Sequence, residues 1–236
     1  MMSPLFESLV KNSLTVLADE PDDSTAMVWS EAEAFAEMES SEKAIYKLDL
    51  IDKEVLLEDV EDLLTYEGFH KVKELWLDKN EFKDEGVEVL AQSSQIKNLM
   101  VLSLAHNKLS NYSAQALAAS PFLGHLQKLF LQSNRIGLEG LKALTESPVL
   151  ANLQLLYLNL NPVGPAGAGI LGGDSKIKNL RELYLQKTGL GIEGVRALCE
   201  SDNFQDLTLL SLAGNGLVDS AIDLICRSKA FPRLIT

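Results

Sequence analysis

From residue 45 onward, hydrophobic and polar positions recur with a fixed period of 27. Leu48, Leu75, Leu102, Leu129, Leu156, Leu183 and Leu210 form one column, and Leu50, Leu77, Leu104, Leu131, Leu158, Leu185 and Leu212 form a second, two residues later. The residue between them varies. Each unit therefore opens on an apolar–variable–apolar triplet, which predicts a short strand with both leucines on one side. Further along lies a third column: Leu63, Leu90, Leu117, Leu144, Leu171, Leu198 and Ile225. In the stretch LFLQSNRIGLEGLKAL (129–144), Leu138, Leu141 and Leu144 recur at helical spacing and predict a helix facing the same core. Phe69, Ile96, Leu123, Leu150, Ile177, Phe204 and Phe231 close each unit as a last apolar column. Units of this size cannot bury an apolar face alone, so a fixed period in this range predicts a stacked solenoid. The units start at 45, 72, 99, 126, 153, 180 and 207.

A polar column runs through the same register: Asn80, Asn107, Asn134, Asn161, Thr188 and Asn215, with Lys53 at its N-terminal end. An amide leaving a strand can donate to and accept from loop backbone groups that otherwise have no partner. Leaving such a group buried and unpaired costs about 1–3 kcal/mol. The column is read as a structural ladder between units rather than as a set of catalytic amides. Lys53 has no equivalent side chain, so the first unit is expected to be irregular or to blend into the cap.

The pattern LxxLxLxxNxL followed by an apolar helix resembles the leucine-rich repeat, and the 27-residue unit with GLEGLKAL is similar to the ribonuclease-inhibitor type of that family. The resemblance implies an α/β fold: a right-handed solenoid, or horseshoe, with a parallel sheet on its concave face and helices on its convex face. Elementary spacing agrees, since parallel strands stack about 4.8 Å apart whereas helices need about 8–10 Å. The resemblance also implies binding or inhibition through the concave face, without naming a target.

Residues 1–44 precede the repeats and are read as a helical N-terminal cap to a leucine-rich-repeat domain spanning 45–236. Ser3-Pro4 reads as a helix start, followed by Leu5, Phe6, Leu9, Val10, Leu14 and Leu17, and a second helix is expected to carry Met27, Val28, Phe35 and Met38. The alternative is an arm that docks a partner. At the other end, Leu234 occupies the first position of an eighth unit.

Charge is uneven. Residues 1–44 and 45–88 each carry a net −8 and residues 89–236 a net +3, within a total of −13. This opposes nucleic acid or an anionic membrane as partner and permits steering towards a basic protein surface. No run of 18 apolar residues and no signal-peptide pattern is seen, so the chain reads as cytoplasmic. Cys199 and Cys226 lie 27 apart on adjacent helices, too far for a bridge, and are read as small reduced packing residues.

Candidate chemistry is sparse. His70, His106 and His125 share no metal-ligand spacing, and HExxH, CxxC and GxSxG are missing. The stretch GPAGAGILGGDSK (164–176) lacks the GK[ST] ending of a phosphate loop and falls on a repeat helix and its following turn. Catalytic residues, metal and cofactor are accordingly all read as none, and the chain as a monomeric non-enzyme.

What remains is a surface. The outward strand column reads Asp49, Trp76, Ser103, Phe130, Tyr157, Tyr184 and Ser211. The leucines already fill the core, so folding alone does not demand aromatics there. With Asp78, Lys128, Gln132, Asn159 and Gln186 on the flanking columns, Trp76, Phe130, Tyr157 and Tyr184 have the composition of a protein-binding hot spot. Aromatics stacking merely to complete the sheet is the competing explanation. The function expected is a module that binds another protein, with a basic surface as one option, through the concave face. Alternatives are a GTPase activator or enzyme inhibitor using Arg135 or a rim carboxylate, and a ligand-sensing fragment of a larger receptor or secreted effector.

Overall fold

The structure is a computed structural model and describes residues 4–17 and 45–234. Seven strands follow one another across one sheet: β2 (Ile45–Asp49), β3 (Val72–Trp76), β4 (Val101–Ser103), β5 (Lys128–Phe130), β6 (Leu155–Tyr157), β7 (Glu182–Tyr184) and β8 (Leu209–Ser211). Neighbours are parallel, and from β3 onward residues 27 apart in sequence face each other, as in Glu74 with Val101 and Phe130 with Tyr157. One turn of the solenoid equals one sequence period, so every column of the sequence becomes a row in space. The helices that return between strands are α2 (Leu57–Leu64), α3 (Lys83–Gln92), α4 (Asn111–Ala119), α5 (Leu138–Glu146), α6 (Gly164–Gly172), α7 (Gly191–Cys199) and α8 (Asp219–Arg227). The leucine rows from Leu48 to Leu183 and from Leu50 to Leu185 are fully buried between sheet and helices, whereas Leu210 and Leu212 of the last strand are half-buried.

The N-terminal element differs from the expected helix through Leu17. Helix α1 (Pro4–Asn12) stops at Asn12, and Leu14–Leu17 forms a strand, β1, that pairs antiparallel with β2. The outer edge of β2 would otherwise leave backbone N–H and C=O groups unpaired, and a β-branched Thr-Val pair suits a strand. Phe6 and Val10 of α1 are buried in the core, and Leu9, Leu14 and Val16 pack against it. The described part of this N-terminal region, residues 4–17, is therefore a helix plus an edge strand, and among the described residues the sheet is parallel except at this edge. The expected second helix, with Met27, Val28, Phe35 and Met38, lies outside the described residues.

Within the unit 126–152 the buried helical face is Gly140, Leu141, Leu144 and Thr145, and Leu138 is 37% exposed. Leu138 opens the helix and points off the core, and Ile136 fills the position instead. A Cβ on Gly140 would lie 2.8 Å from Asn111 Oδ1 and 3.0 Å from Ala114 Cβ, so a residue without a side chain lets α4 and α5 approach. In the 164–176 stretch, a Cβ on Gly167 would lie 2.5 Å from Val163 Cγ1 and 3.1 Å from Leu141 Cδ2, which makes it a helix-packing segment.

The turn out of each strand repeats as strictly as the strand. Asp52, Lys79, His106, Ser133, Leu160, Lys187 and Gly214, spaced by 27, all have positive φ, between 53° and 74°. The left-handed residue swings the chain out of the strand and delivers the next side chain inward. That side chain is the buried column from Asn80 to Asn215. Asn134 Oδ1 accepts from the N–H of Asn107 at 3.1 Å and of Leu109 at 3.0 Å, one unit back, while its Nδ2 donates to the carbonyls of Leu104 and Leu131 at 3.0 and 2.9 Å. Asn80 does the same towards Lys53 and Val55, so the first unit is tied into the ladder through the Lys53 backbone. Thr188 breaks the pattern. Its shorter hydroxyl donates to Leu185 O at 2.7 Å and to Asn215 Oδ1 at 3.2 Å, and the preceding unit pairs through Gly164 N–H to Thr188 O instead.

A second polar spine runs along the opposite corner, behind the helices. The hydroxyls of Ser120, Ser147 and Ser228 each donate to a carbonyl of the preceding unit (Ala91, Ala118 and Cys199) at 2.6 Å. The sequence reading overlooked this column, although serine at 93, 120, 147, 201 and 228 carries its signal.

Candidate partner-binding face

The outer face of the sheet carries one continuous aromatic ledge. Tyr157 and Tyr184 stack with ring centroids 3.7 Å apart, and Phe130 and Tyr157 lie 4.9 Å apart. Their strands are adjacent, so alternation alone places them side by side. Trp76 and Phe130 are not on adjacent strands, yet their centroids are 5.2 Å apart. The residue between them on β4 is Ser103. It is small enough for both rings to close over it and is fully buried beneath them. Lys47 extends the row, its ammonium 4.9 Å from the Trp76 ring. All four aromatics remain half-buried, with one side open.

Polar contacts hold the rings in place. Trp76 Nε1 donates to Glu74 Oε2 at 3.3 Å, and the Tyr184 hydroxyl donates to Glu182 Oε2 at 3.0 Å. The Tyr157 hydroxyl beside it, partial burial and the Glu182 carboxylate raise the Tyr184 pKa well above the usual phenol range, so it stays a donor at any working pH. Flanking the ledge on one side, Val101 and Leu155 are nearly buried on the outer face beside it. Lys128 is exposed in the same row.

On the other side lies the row Asp78, Gln132, Asn159 and Gln186. Asp78 Oδ1 accepts from the Ser103 hydroxyl and from the Ala105 N–H at 2.9 Å. Desolvation nevertheless raises its pKa, outweighing those hydrogen bonds, and Asp49 adds to the effect. Gln132, Asn159 and Gln186 are half-buried, and the carbonyl oxygens of their side chains are sealed from solvent with no hydrogen-bond partner. The expected surface residues thus converge into one strip: a ring ledge edged by a carboxylate and three amides.

Other candidate features lie elsewhere. Arg135 is exposed at a turn, and its backbone N–H is bonded to Leu109 O. Asp84 on α3 accepts from the Ser110 and Ser113 hydroxyls at 2.6 and 2.5 Å and from the Ser110 N–H at 2.8 Å, joining α3 to α4. Desolvation pushes its pKa up, but these bonds prevail and leave it lowered. Both cysteines are free. Cys199 is half-buried, and burial raises its thiol pKa. Cys226 is exposed rather than a packing residue, because only Ala221 of α8 is buried in the core. Among the described residues no group of His, Cys, Asp and Glu could hold a metal ion, and no helix is long and apolar enough to cross a membrane.

Comparison with known proteins agrees with this architecture. A family model described as Leucine Rich repeat matches residues 70–91, 125–144 and 176–199, three segments that each fall in the register found above. With its parallel strands, returning helices and asparagine spine, the chain is a leucine-rich-repeat protein. No curated protein matches it. Among solved structures, the crystal structure of PEPR1-AtPEP1 aligns with 80% of this chain at 14% identity and a TM-score of 0.27. The chain spans 36% of that structure's length. So distant a likeness carries no argument about function.

Proposed function

We propose that this protein is a non-enzymatic interaction module that binds another protein through the concave, outer face of its sheet. One observation carries this reading: Trp76, Phe130, Tyr157 and Tyr184 form an unbroken ring ledge on the side of the sheet facing away from the leucine rows. Large aromatics with one open side and a polar rim have the composition of interface hot spots. The strongly acidic N-terminal half favours a partner with a basic surface, which long-range attraction would steer to the face. The 27-residue period supports placing the repeats in the ribonuclease-inhibitor-like class. Two unbridged cysteines in equivalent positions support a reducing, cytoplasmic setting.

Affinity capture tests the reading directly. Immobilised full chain and its Trp76→Ala, Phe130→Ala, Tyr157→Ala, Tyr184→Ala quadruple variant are exposed to the same native lysate, with Lys142→Ala on the convex side as control. A partner retained by the parent and the control but lost by the quadruple variant supports the reading. A partner retained equally by all three contradicts it.

A further inference from the structure

Taking the outer face as the partner-binding surface, we infer that its β7 end is a subsite for an arginine side chain of the partner, laid over the Tyr184 ring and ion-paired with Glu182. The opposite end of the same ledge supplies the pattern.

At the β3 end the chain completes such a site by itself. Lys47 comes from β2, which borders β3 on the side away from the strand of Phe130. Its ammonium lies 4.9 Å from the Trp76 ring centroid and 3.0 Å from Asp49 Oδ2. Asp49 is the in-register neighbour of Trp76, so ring, carboxylate and cation form one cluster. A cation placed over an aromatic face and beside a carboxylate is attracted by both.

At the β7 end two of the three parts are present. Tyr184 stacks on Tyr157 with one face. Glu182, two residues earlier and therefore on the same side of the sheet, accepts the Tyr184 hydroxyl through Oε2 at 3.0 Å. The cation is the part the chain does not supply. On β8 the in-register neighbours of Glu182 and Tyr184 are Leu209 and Ser211, and on β6 Glu182 faces Leu155. Serine is too short to cover a phenol ring, and leucine cannot neutralise a carboxylate. Among the described residues no cation lies over Tyr184 and none pairs with Glu182. Both residues are half-buried, so a side chain arriving from outside can reach them.

The shape of this end selects arginine over lysine. The Tyr157 and Tyr184 rings are only 15° from parallel, so the stack ends on a flat surface towards β8. A planar guanidinium continues such a stack and directs N–H groups sideways to a carboxylate, and it gives up water more readily than an ammonium.

The test titrates the isotope-labelled full chain with N-acetyl-arginine amide and follows backbone amide signals by NMR, with the matching citrulline and lysine amides as controls. Arginine should shift the signals of residues 182–184 and 209–211 most. Citrulline, which keeps the shape without the charge, should bind about tenfold more weakly, and lysine should also bind more weakly than arginine. Glu182→Gln retains an acceptor for the Tyr184 hydroxyl, and with Tyr184→Leu it should lose about tenfold in arginine affinity while the amide spectrum elsewhere stays unchanged. Leu209→Lys puts an ammonium in the register position beside Glu182 and should close the subsite to the same extent. Equal binding of citrulline or lysine, shifts centred elsewhere, no shifts at all, or full arginine binding by Glu182→Gln and Leu209→Lys would overturn the inference. In the capture experiment, a partner lost by the quadruple variant but retained by Glu182→Gln and Leu209→Lys would overturn the arginine subsite and leave the binding face standing. A partner retained by the quadruple variant would overturn both.

Discussion

The indole of Trp76 and the ring of Phe130 lie 5.2 Å apart although a whole strand runs between them. Ser103 makes this possible, by being small and by donating its hydroxyl downward to Asp78. One serine therefore joins two functions: it closes the ring ledge and it holds the carboxylate at the ledge's edge.

Asp78 yields a prediction with a definite sign. Its folded pKa is raised, so its ionised form is less favourable in the folded chain than in the unfolded one. Stability contributed by this group is fully present below about 3.9, the unfolded value, and is lost as pH rises through the folded value. Asn at this position keeps an acceptor for Ser103 and Ala105 without the charge. Asp78→Asn should be at least as stable as the parent in urea melts at pH 7, and its advantage should shrink as pH is lowered towards 4. Asp84, whose pKa is lowered, has the opposite sign: its contribution is present at neutral pH and is lost on acidification.

The asparagine ladder predicts a conventional loss. Asn134→Ala removes one acceptor serving two backbone N–H groups and a donor serving two carbonyls, all buried. Destabilisation of about 1–3 kcal/mol should follow, read as a lower urea midpoint at unchanged slope. A midpoint equal to the parent's would show that the ladder contributes nothing net.

Much of this was legible in the chain, and the exceptions have physical reasons. A single strict period set the leucine rows, the asparagine column and the aromatic row, because one turn of the solenoid equals one period. Leu14–Leu17 was not legible: four residues, mostly apolar, fit a helix or a strand, and only the exposed edge of β2 decides. Leu138 misled because helical spacing does not say where the first turn begins. The closure of Trp76 onto Phe130 and the sealing of three amide oxygens depend on how side chains settle over a small neighbour, which no periodicity encodes.

Leu160 offers a gain. It sits in the left-handed column at φ 59° and is 47% exposed, so its side chain adds little packing to offset an unfavourable backbone. Asn visits that region more readily. Leu160→Asn should raise stability by about 1 kcal/mol, seen as a higher melting temperature. A lower melting temperature would mean that Leu160 packs more usefully than its exposure suggests.

The cysteines should separate by reactivity. Cys226 is exposed, whereas Cys199 is half-buried with a raised pKa, so less of it is thiolate at neutral pH. Under iodoacetamide at pH 7.5, mass spectrometry should find Cys226 alkylated first and Cys199 markedly later. Equal rates, or a Cys199–Cys226 bridge in the native chain, would contradict the packing described.

The most direct test of the binding face places a photo-crosslinking amino acid at Tyr157, and in a separate protein at Lys142 on the convex side. Each full chain is irradiated in native lysate and analysed by mass spectrometry. The outer face being the binding site predicts a discrete protein adduct at position 157 and none at 142. An adduct at 142 with none at 157 would contradict it.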